Sequence, residues 1–156
     1  MIAAAKEVLR KNRQGTFTKP APTLYPHQWN WDTGFIALGY ARSDFRQACA
    51  ELTALFRGQW ANGMVPQIVF SVENVGKYFP GYFFWDTKGV PGKPRNVRTS
   101  GITMPPVHGF VLNRLLQLAP GPQLDARQPP RRIVEPQLPL RGVEDAREAS
   151  CVVDEL

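Results

Sequence analysis

All seventeen aromatic residues of this 156-residue chain lie between Phe17 and Phe110, so a large hydrophobic core can form only in that part of the sequence. Residues 119–156 contain no aromatic residue and hold six of the fifteen prolines. A segment of that composition buries too little apolar surface to offset the entropy lost on ordering. We therefore expect a folded region over residues 1–118 and a Pro- and Arg-rich tail over 119–156 that is disordered or translated out of frame.

Apolar residues recur at steps of three and four in four segments, which predicts helices over residues 3–13, 33–40, 44–60 and 105–118. The second and third helices are separated by only three residues, so we expect them to pack as an antiparallel αα-hairpin. Asp32 has the residue type of an N-cap for the second helix, and Ser43 or Asp44 for the third. The fold class predicted from these patterns is all-α.

The same spacing predicts which side chains face the core. In the first helix we expect Val8 and Leu9 to point inward and Gly15 to form the C-cap. In the third helix we place the acidic Glu51 on a solvated face. The residues expected to be inward in the second and third helices are Phe35, Ile36, Leu38, Tyr40, Phe45, Ala48, Cys49, Leu52, Leu55 and Phe56.

Residues 61–104 form a long stretch without helical period that is rich in proline, glycine and aromatic residues. Irregular stretches of this length in compact proteins are usually functional or disordered. The aromatic content favours an ordered, functional stretch, in which Phe79, Phe83 and Phe84 are predicted to be packing residues.

Charge and cysteine content argue against several classes of function, and they leave nucleic-acid binding as a distant third hypothesis. Residues 1–118 carry fourteen Lys and Arg against six Asp and Glu, but these cations are scattered and no nucleic-acid-reading motif accompanies them. Cys49 and Cys151 have no spacing typical of a disulfide framework or a metal site. No apolar run has the length of a signal peptide or a membrane span. We expect a cytoplasmic protein with no metal, cofactor, nucleic acid or membrane partner.

The segment from Tyr25 to Phe35 mixes ring-bearing and hydrogen-bonding side chains just before a predicted helix. Sugars offer flat C–H faces to aromatic rings and hydroxyl groups to Asp, Gln or His. This composition is therefore typical of a sugar-binding wall. The alternative is that Trp29 and Trp31 are core residues and Asp32 is only a helix cap.

Four motifs in a fixed order resemble the N-terminal part of the mannosylglycerate and glucosylglycerate hydrolases, in or beside glycoside hydrolase family sixty-three. They are Leu-Tyr-Pro-His-Gln-Trp-Asn-Trp-Asp at 24–32, Arg-Gly-Gln-Trp-Ala-Asn-Gly-Met-Val-Pro at 57–66, Tyr-Phe-Pro-Gly at 78–81, and Thr-Ser-Gly-Ile-Thr-Met-Pro-Pro at 99–106. The resemblance covers roughly residues 3–118. It implies an incomplete (α/α)6 toroid, with long irregular loops, from an inverting enzyme that cleaves the α-glycosidic bond of a small glycoside.

Hydrolysis of a glycosidic bond usually needs two carboxyl groups, about 6.5 to 9.5 Å apart when configuration inverts. Asp32, Glu73 and Asp86 are the acids expected in loops, and Asp32 with Asp86 is one conceivable pair. The resemblance implies instead that the acid and the base come from segments beyond the matched region. We therefore assign no catalytic residue and expect the chain alone to be inactive.

The resemblance also implies which side chains bind substrate, with Tyr25 and Trp31 stacking on the sugar and Asp32 bonding to its hydroxyls. His27 and Gln28 could orient that wall, and Trp60 is expected to face the site. The full set of predicted substrate-binding residues is Tyr25, Gln28, Trp29, Trp31, Asp32, Gln67, Tyr78 and Met104.

Two of these positions depart from the family pattern, because Gln67 replaces a histidine and Met104 replaces a glutamine. A thioether cannot replace an amide that bonds a hydroxyl, and a buried hydroxyl left unpaired costs about 1 to 3 kcal/mol. The departures leave an alternative open, in which the chain is a non-catalytic carbohydrate-binding or partner-binding remnant. If the chain is instead part of a hydrolase, the expected ligand is a small glycoside such as mannosylglycerate or glucosylglycerate.

Overall fold

The computed structural model describes residues 2–120, which are mostly helical with two small antiparallel sheets. The all-α prediction therefore holds only coarsely. The predicted tail and the boundary after residue 118 lie at or beyond the end of the described residues. The elements in chain order are α1 (Ile2–Asn12), β1 (Arg13–Gln14), β2 (Phe17–Thr18), β3 (Gln28–Trp29), α2 (Asn30–Tyr40), α3 (Phe45–Phe56), β4 (Ile68–Phe70), a 3₁₀ turn (Val72–Asn74), α4 (Tyr82–Trp85), β5 (Arg98–Thr99) and α5 (His108–Leu118).

The main core lies where α2, α3 and α5 pack against one another. Its fully buried side chains include Ala37, Ala48 and Val111, and Leu9 of α1 packs against them from outside. Gly34 lets α5 approach closely, because a Cβ atom there would lie 3.0 Å from Cγ2 of Val111. Small side chains on α2 therefore set the distance between these helices.

Two sheets complete the described residues. The hairpin β1–β2 pairs Gln14 with Phe17, and Gly15 occupies its turn with a φ of 62°. Gly15 was expected to be the C-cap of α1, but the helix ends at Asn12 and the left-handed conformation serves the hairpin instead. The second sheet has the strand order β3-β4-β5 and is antiparallel throughout.

Helix boundaries differ from the predicted ones where tertiary contacts intervene. The N-cap of α2 is Trp29, so Asp32 lies inside the first turn and is not the N-cap. The backbone N–H of Asn30 donates to the carbonyl of Gln67 at 3.0 Å, which allows the helix to begin three residues early. Asp44 does cap α3, since its carboxylate accepts from the backbone N–H of Gln47 at 2.9 Å. Helix α3 ends at Phe56, four residues early, and α5 begins at His108, after the two prolines.

Several burial predictions were wrong. Cys49 is exposed, and Glu51, which we placed on a solvated face, is fully buried. The face of α3 that packs inward is rotated toward Gln47 and Glu51, because β2 supplies hydrogen-bonding partners there. The side chains predicted to pack inward that are exposed instead are Val8, Phe35, Phe79, Phe83 and Phe84.

Candidate functional site

The sheet β3-β4-β5 separates the predicted site residues onto two faces. Trp29 is in register with Ile68, and these two side chains pack with Phe70 on one face. Partly buried side chains of the irregular stretch cover this face, namely Tyr78, Tyr82, Trp85 and Met104. Because alternate residues of a strand point to opposite sides, Gln28 and Val69 face the other way, toward α3.

Three of the predicted rings meet on the first face, and we call Tyr25, Trp29 and Tyr78 the aromatic wall. The centroids of Tyr25 and Trp29 are 5.0 Å apart at 70°, and those of Trp29 and Tyr78 are 5.0 Å apart at 89°. Trp29 is 5% exposed whereas Tyr25 is 41% exposed. Edge-to-face packing of this kind holds rings in fixed orientations. Trp29 is therefore enclosed within this cluster, whereas part of the Tyr25 ring stays open to solvent.

Trp31 and Asp32 follow Trp29 after one intervening residue, in the first turn of α2. Trp31 is 40% exposed and Asp32 is half-buried. Burial raises the pKa of the Asp32 carboxyl, although hydrogen bonds from its own backbone and from the Trp31 side chain oppose the rise. The positive end of the helix dipole also favours a carboxylate at this position. An indole and a carboxylate are thus held side by side, the pair of groups that a sugar ring and its hydroxyls require.

His27 supports this arrangement from inside. It is buried, and its Nδ1 accepts from the backbone N–H of Ser71 at 3.2 Å. Its ring lies 4.9 Å from that of Phe70 and 6.0 Å from that of Trp29. Burial lowers the pKa of His27 to about 4, so the ring is neutral at neutral pH. His27 therefore ties β3 to the segment after β4 without a charge.

Gln28 was predicted to bind substrate, but its side chain lies away from the aromatic wall. It is buried, and Nε2 donates to the backbone carbonyl of Glu51 at 2.9 Å. The amide therefore fastens β3 to α3 and has no open surface toward a ligand. Trp60, expected to face the site, is also buried, and its Nε1 donates to the hydroxyl of Thr99 at 3.0 Å.

Of the two positions that depart from the family pattern, Gln67 contacts the start of α2 and Met104 packs near Trp29. Gln67 is partly exposed, and its backbone accepts from Asn30 at 3.0 Å and donates to Ile102 at 2.7 Å. These bonds join the start of α2 to the segment before α5. Met104, in that same segment, is partly buried against the cluster around Trp29. Its thioether presents a polarisable apolar surface where an amide would present hydrogen-bonding groups.

The remaining loop acids, Glu73 and Asp86, are both exposed. Glu73 lies in the 3₁₀ turn, and Asp86 lies after α4 with a φ of 38°. Glu51 is the buried acid that the sequence reasoning missed. The available signal was that Gln47 and Glu51 share the helical face of Ala48, Leu52 and Leu55.

An open groove of about 670 Å³ adjoins the wall. It is lined by His27, Phe70 and Tyr78 and by the exposed rings of Phe79, Phe83 and Phe84. Its size is within the range of ligand-binding clefts, about 300 to 1,000 Å³. Among residues 2–120, no group of three His, Cys, Asp or Glu side chains is arranged to hold a metal ion, and no helix is long and apolar enough to cross a membrane.

Comparison with known proteins identifies the family. Residues 25–138 match the mannosylglycerate hydrolase MGH1-like glycoside hydrolase domain. The chain is 50% identical over 119 residues to a mannosylglycerate hydrolase of Rubrobacter radiotolerans. It is 47% identical over 120 residues to a glucosylglycerate hydrolase of Mycolicibacterium hassiacum. Each match covers 76% of this chain and 27% of the relative.

A solved structure agrees with this assignment. The GH63 mannosylglycerate hydrolase from Thermus thermophilus, in complex with Tris, superposes with a TM-score of 0.67 at 45% identity, covering 76% of this chain and 27% of that one. The chain thus spans about a quarter of the length of these relatives. It belongs to the MGH1-like glycoside hydrolase family, and the resemblance deduced from its four motifs is confirmed.

Proposed function

We propose that this member of the family supplies the sugar-binding wall of a glycoside hydrolase that cleaves the α-glycosidic bond of a small glycoside such as mannosylglycerate or glucosylglycerate. The observation that carries the proposal is the aromatic wall, in which buried Trp29 holds Tyr25 and Tyr78 at fixed angles. The relatives named mannosylglycerate and glucosylglycerate hydrolase supply the substrate class.

In this proposal the sugar ring stacks on the exposed faces of Tyr25 and Trp31. Asp32 accepts hydrogen bonds from a pair of sugar hydroxyls, and its position in the first turn of α2 keeps the carboxylate in place. Tyr78 and Met104 border the sugar, and Gln67 lies near its edge. His27, Gln28 and Trp29 act behind this surface by fixing β3.

We assign the catalytic acid and base to segments outside this chain. The two steps of glycoside hydrolysis need a proton donor and an activated water on opposite sides of the sugar. Glu73 and Asp86 are open to water, and Glu51 is enclosed. The helices described would form the first hairpins of an (α/α)6 toroid, so the chain alone should bind the glycoside weakly and release no sugar.

Binding and turnover by the full 156-residue chain test this proposal. Mannosylglycerate and glucosylglycerate should quench tryptophan fluorescence on titration, while no free mannose or glucose appears. Trp31→Ala should weaken the binding about two- to thirteenfold and reduce the fluorescence response, because it removes a stacking surface worth about 0.5 to 1.5 kcal/mol and one reporter ring. Phe110→Ala, which removes an even more exposed ring on α5, should behave like the unmodified chain. Measurable hydrolysis would show that the catalytic carboxyls are present after all.

A second function, sugar or partner binding without catalysis, is favoured by Met104. An apolar group beside Trp29 does not suit a hydroxyl-rich glycoside. This alternative requires either a folded monomer or a partner that completes the domain, so a cooperative thermal transition of the isolated chain would support it. Aggregation with partial helicity would count against it.

A further inference from the structure

A second groove, separate from the aromatic wall, is lined by cations. Its volume is about 550 Å³, and Lys93, Arg95 and Arg98 line it together with one acid, Glu73. Its other walls include the rings of Phe17, Phe70 and Tyr82. None of the wall residues Tyr25, Trp29 and Tyr78 lines this groove. It meets the groove beside the wall only at Phe70 and Tyr82, which line both.

The cations in this groove have no ion-pair partner in the described part of the chain. The salt bridges found in residues 2–120 involve Arg10, Lys11 and Arg13, and none includes Lys93, Arg95 or Arg98. Three positive side chains with one carboxylate leave a net charge of about +2 on one concave surface. A cleft with one excess sign of charge concentrates ligands of the opposite sign.

The backbone holds the segment that carries these cations. Arg98 lies on β5 in register with Phe70, and its guanidinium sits 5.1 Å from the centre of the Tyr82 ring. Just before Lys93, the carbonyl of Gly92 accepts a hydrogen bond from the backbone N–H of Ala61 at 2.8 Å. A guanidinium stacked on an aromatic ring is pre-oriented for bidentate bonding to a planar or tetrahedral oxyanion.

We propose that this basic groove (Phe17, Phe70, Tyr82, Lys93, Arg95 and Arg98) binds the phosphate monoester of a sugar-sized molecule. The dianionic phosphate balances the net positive charge of the groove, and Arg95 and Arg98 donate hydrogen bonds to its oxygens. The aromatic rings offer a surface to the carbon skeleton. The groove volume suits a ligand of that size.

Calorimetric titration of the full chain tests this site, with mannose 6-phosphate as the probe and mannose and glycerate as comparisons. We expect mannose 6-phosphate to bind at least about tenfold more tightly than either, and the binding to weaken when ionic strength rises from about 0.05 to about 0.5 M. Arg95→Ala with Arg98→Ala should weaken it at least tenfold. Arg114→Ala, which removes an exposed cation from α5, should leave it unchanged.

Circular dichroism of the double variant controls for folding. An unchanged spectrum with unchanged affinity would overturn the site, as would equal affinity for mannose and its phosphate. Equal binding of glycerate would overturn the assignment to a dianion. A short single-stranded oligonucleotide could instead bind more tightly than the sugar phosphate through the same two arginines. That result would overturn the proposal and show that the groove binds a nucleic acid.

Discussion

Replacing Glu51 by alanine should destabilise the chain more than any surface change, because its carboxylate joins several elements. Oε2 accepts from the backbone N–H of Thr18 at 3.0 Å, and Oε1 accepts from the Thr18 hydroxyl at 2.5 Å and from Nε2 of Gln47 at 2.9 Å. The Thr18 hydroxyl also lies 3.2 Å from the hydroxyl of Tyr40, which donates to the carbonyl of Leu9. The carboxylate thus connects α3 to β2 and, through that hydroxyl pair, to α2 and α1.

The magnitude follows from the partners left behind. In Glu51→Ala the buried N–H of Thr18 loses its acceptor, at a cost of about 1 to 3 kcal/mol. Gln47 keeps only a weak bond to the carbonyl of Thr16 at 3.5 Å, which adds about 1 kcal/mol. We therefore expect the free energy of unfolding to fall by about 2 to 4 kcal/mol.

This loss should depend on pH. Burial raises the pKa of the Glu51 carboxyl above its ordinary 4.5, although bonds from Thr18 and Gln47 pull it down. The folded state then binds the proton more tightly than the unfolded state. The contribution of Glu51 to stability is complete below 4.5 and decreases as pH rises toward the folded pKa. The penalty of Glu51→Ala should accordingly be larger at acidic than at neutral pH.

Urea unfolding followed by circular dichroism, at several pH values from about 4 to about 8, measures both effects. Glu73→Ala is the control, since it removes an exposed acid and should change stability by less than about 0.5 kcal/mol. A Glu51→Ala protein as stable as the original would refute the reasoning. A penalty that grew with pH would show that the folded carboxyl has a lowered pKa.

Two further predictions concern His27 and Gly34. Because burial lowers the pKa of His27 from 6.5 to about 4, the free energy of unfolding should decrease as the pH falls from 6.5 toward 4. Urea unfolding should show a smaller decrease for His27→Gln than for the unmodified chain. Gly34→Ala puts a Cβ atom 3.0 Å from Val111, so thermal melting should show that the free energy of unfolding falls by about 1 to 3 kcal/mol. The control is Gly109→Ala, where the added atom contacts nothing, and this change should be neutral or stabilising. Equal effects of the two substitutions would contradict the packing argument.

Local sequence was enough to predict the helical hairpin and one of its caps. The apolar spacing of α3 and the Asp44 side chain act over a few residues, so they appear in the sequence as a period and a cap signal. The four ordered motifs, two of which contain Tyr25 and Tyr78, were enough to identify the family, because a run of specific residue types is itself a sequence property. Their assembly into one wall needs contacts between segments some fifty residues apart, which no local pattern encodes.

The start of α2, the burial of Glu51 and the orientation of Gln28 depended on distant partners. Asn30 extends the helix because its side-chain amide donates to the carbonyls of Val65 and Pro66. Glu51 is buried because the backbone N–H of Thr18 donates a hydrogen bond to its carboxylate. A polar side chain on an apolar helix face is favourable only if such a partner exists, since burial without a hydrogen bond costs free energy. Residue type and spacing therefore establish which segments fold and which family they belong to, whereas long-range pairing establishes which polar groups are enclosed and which rings remain open to a ligand.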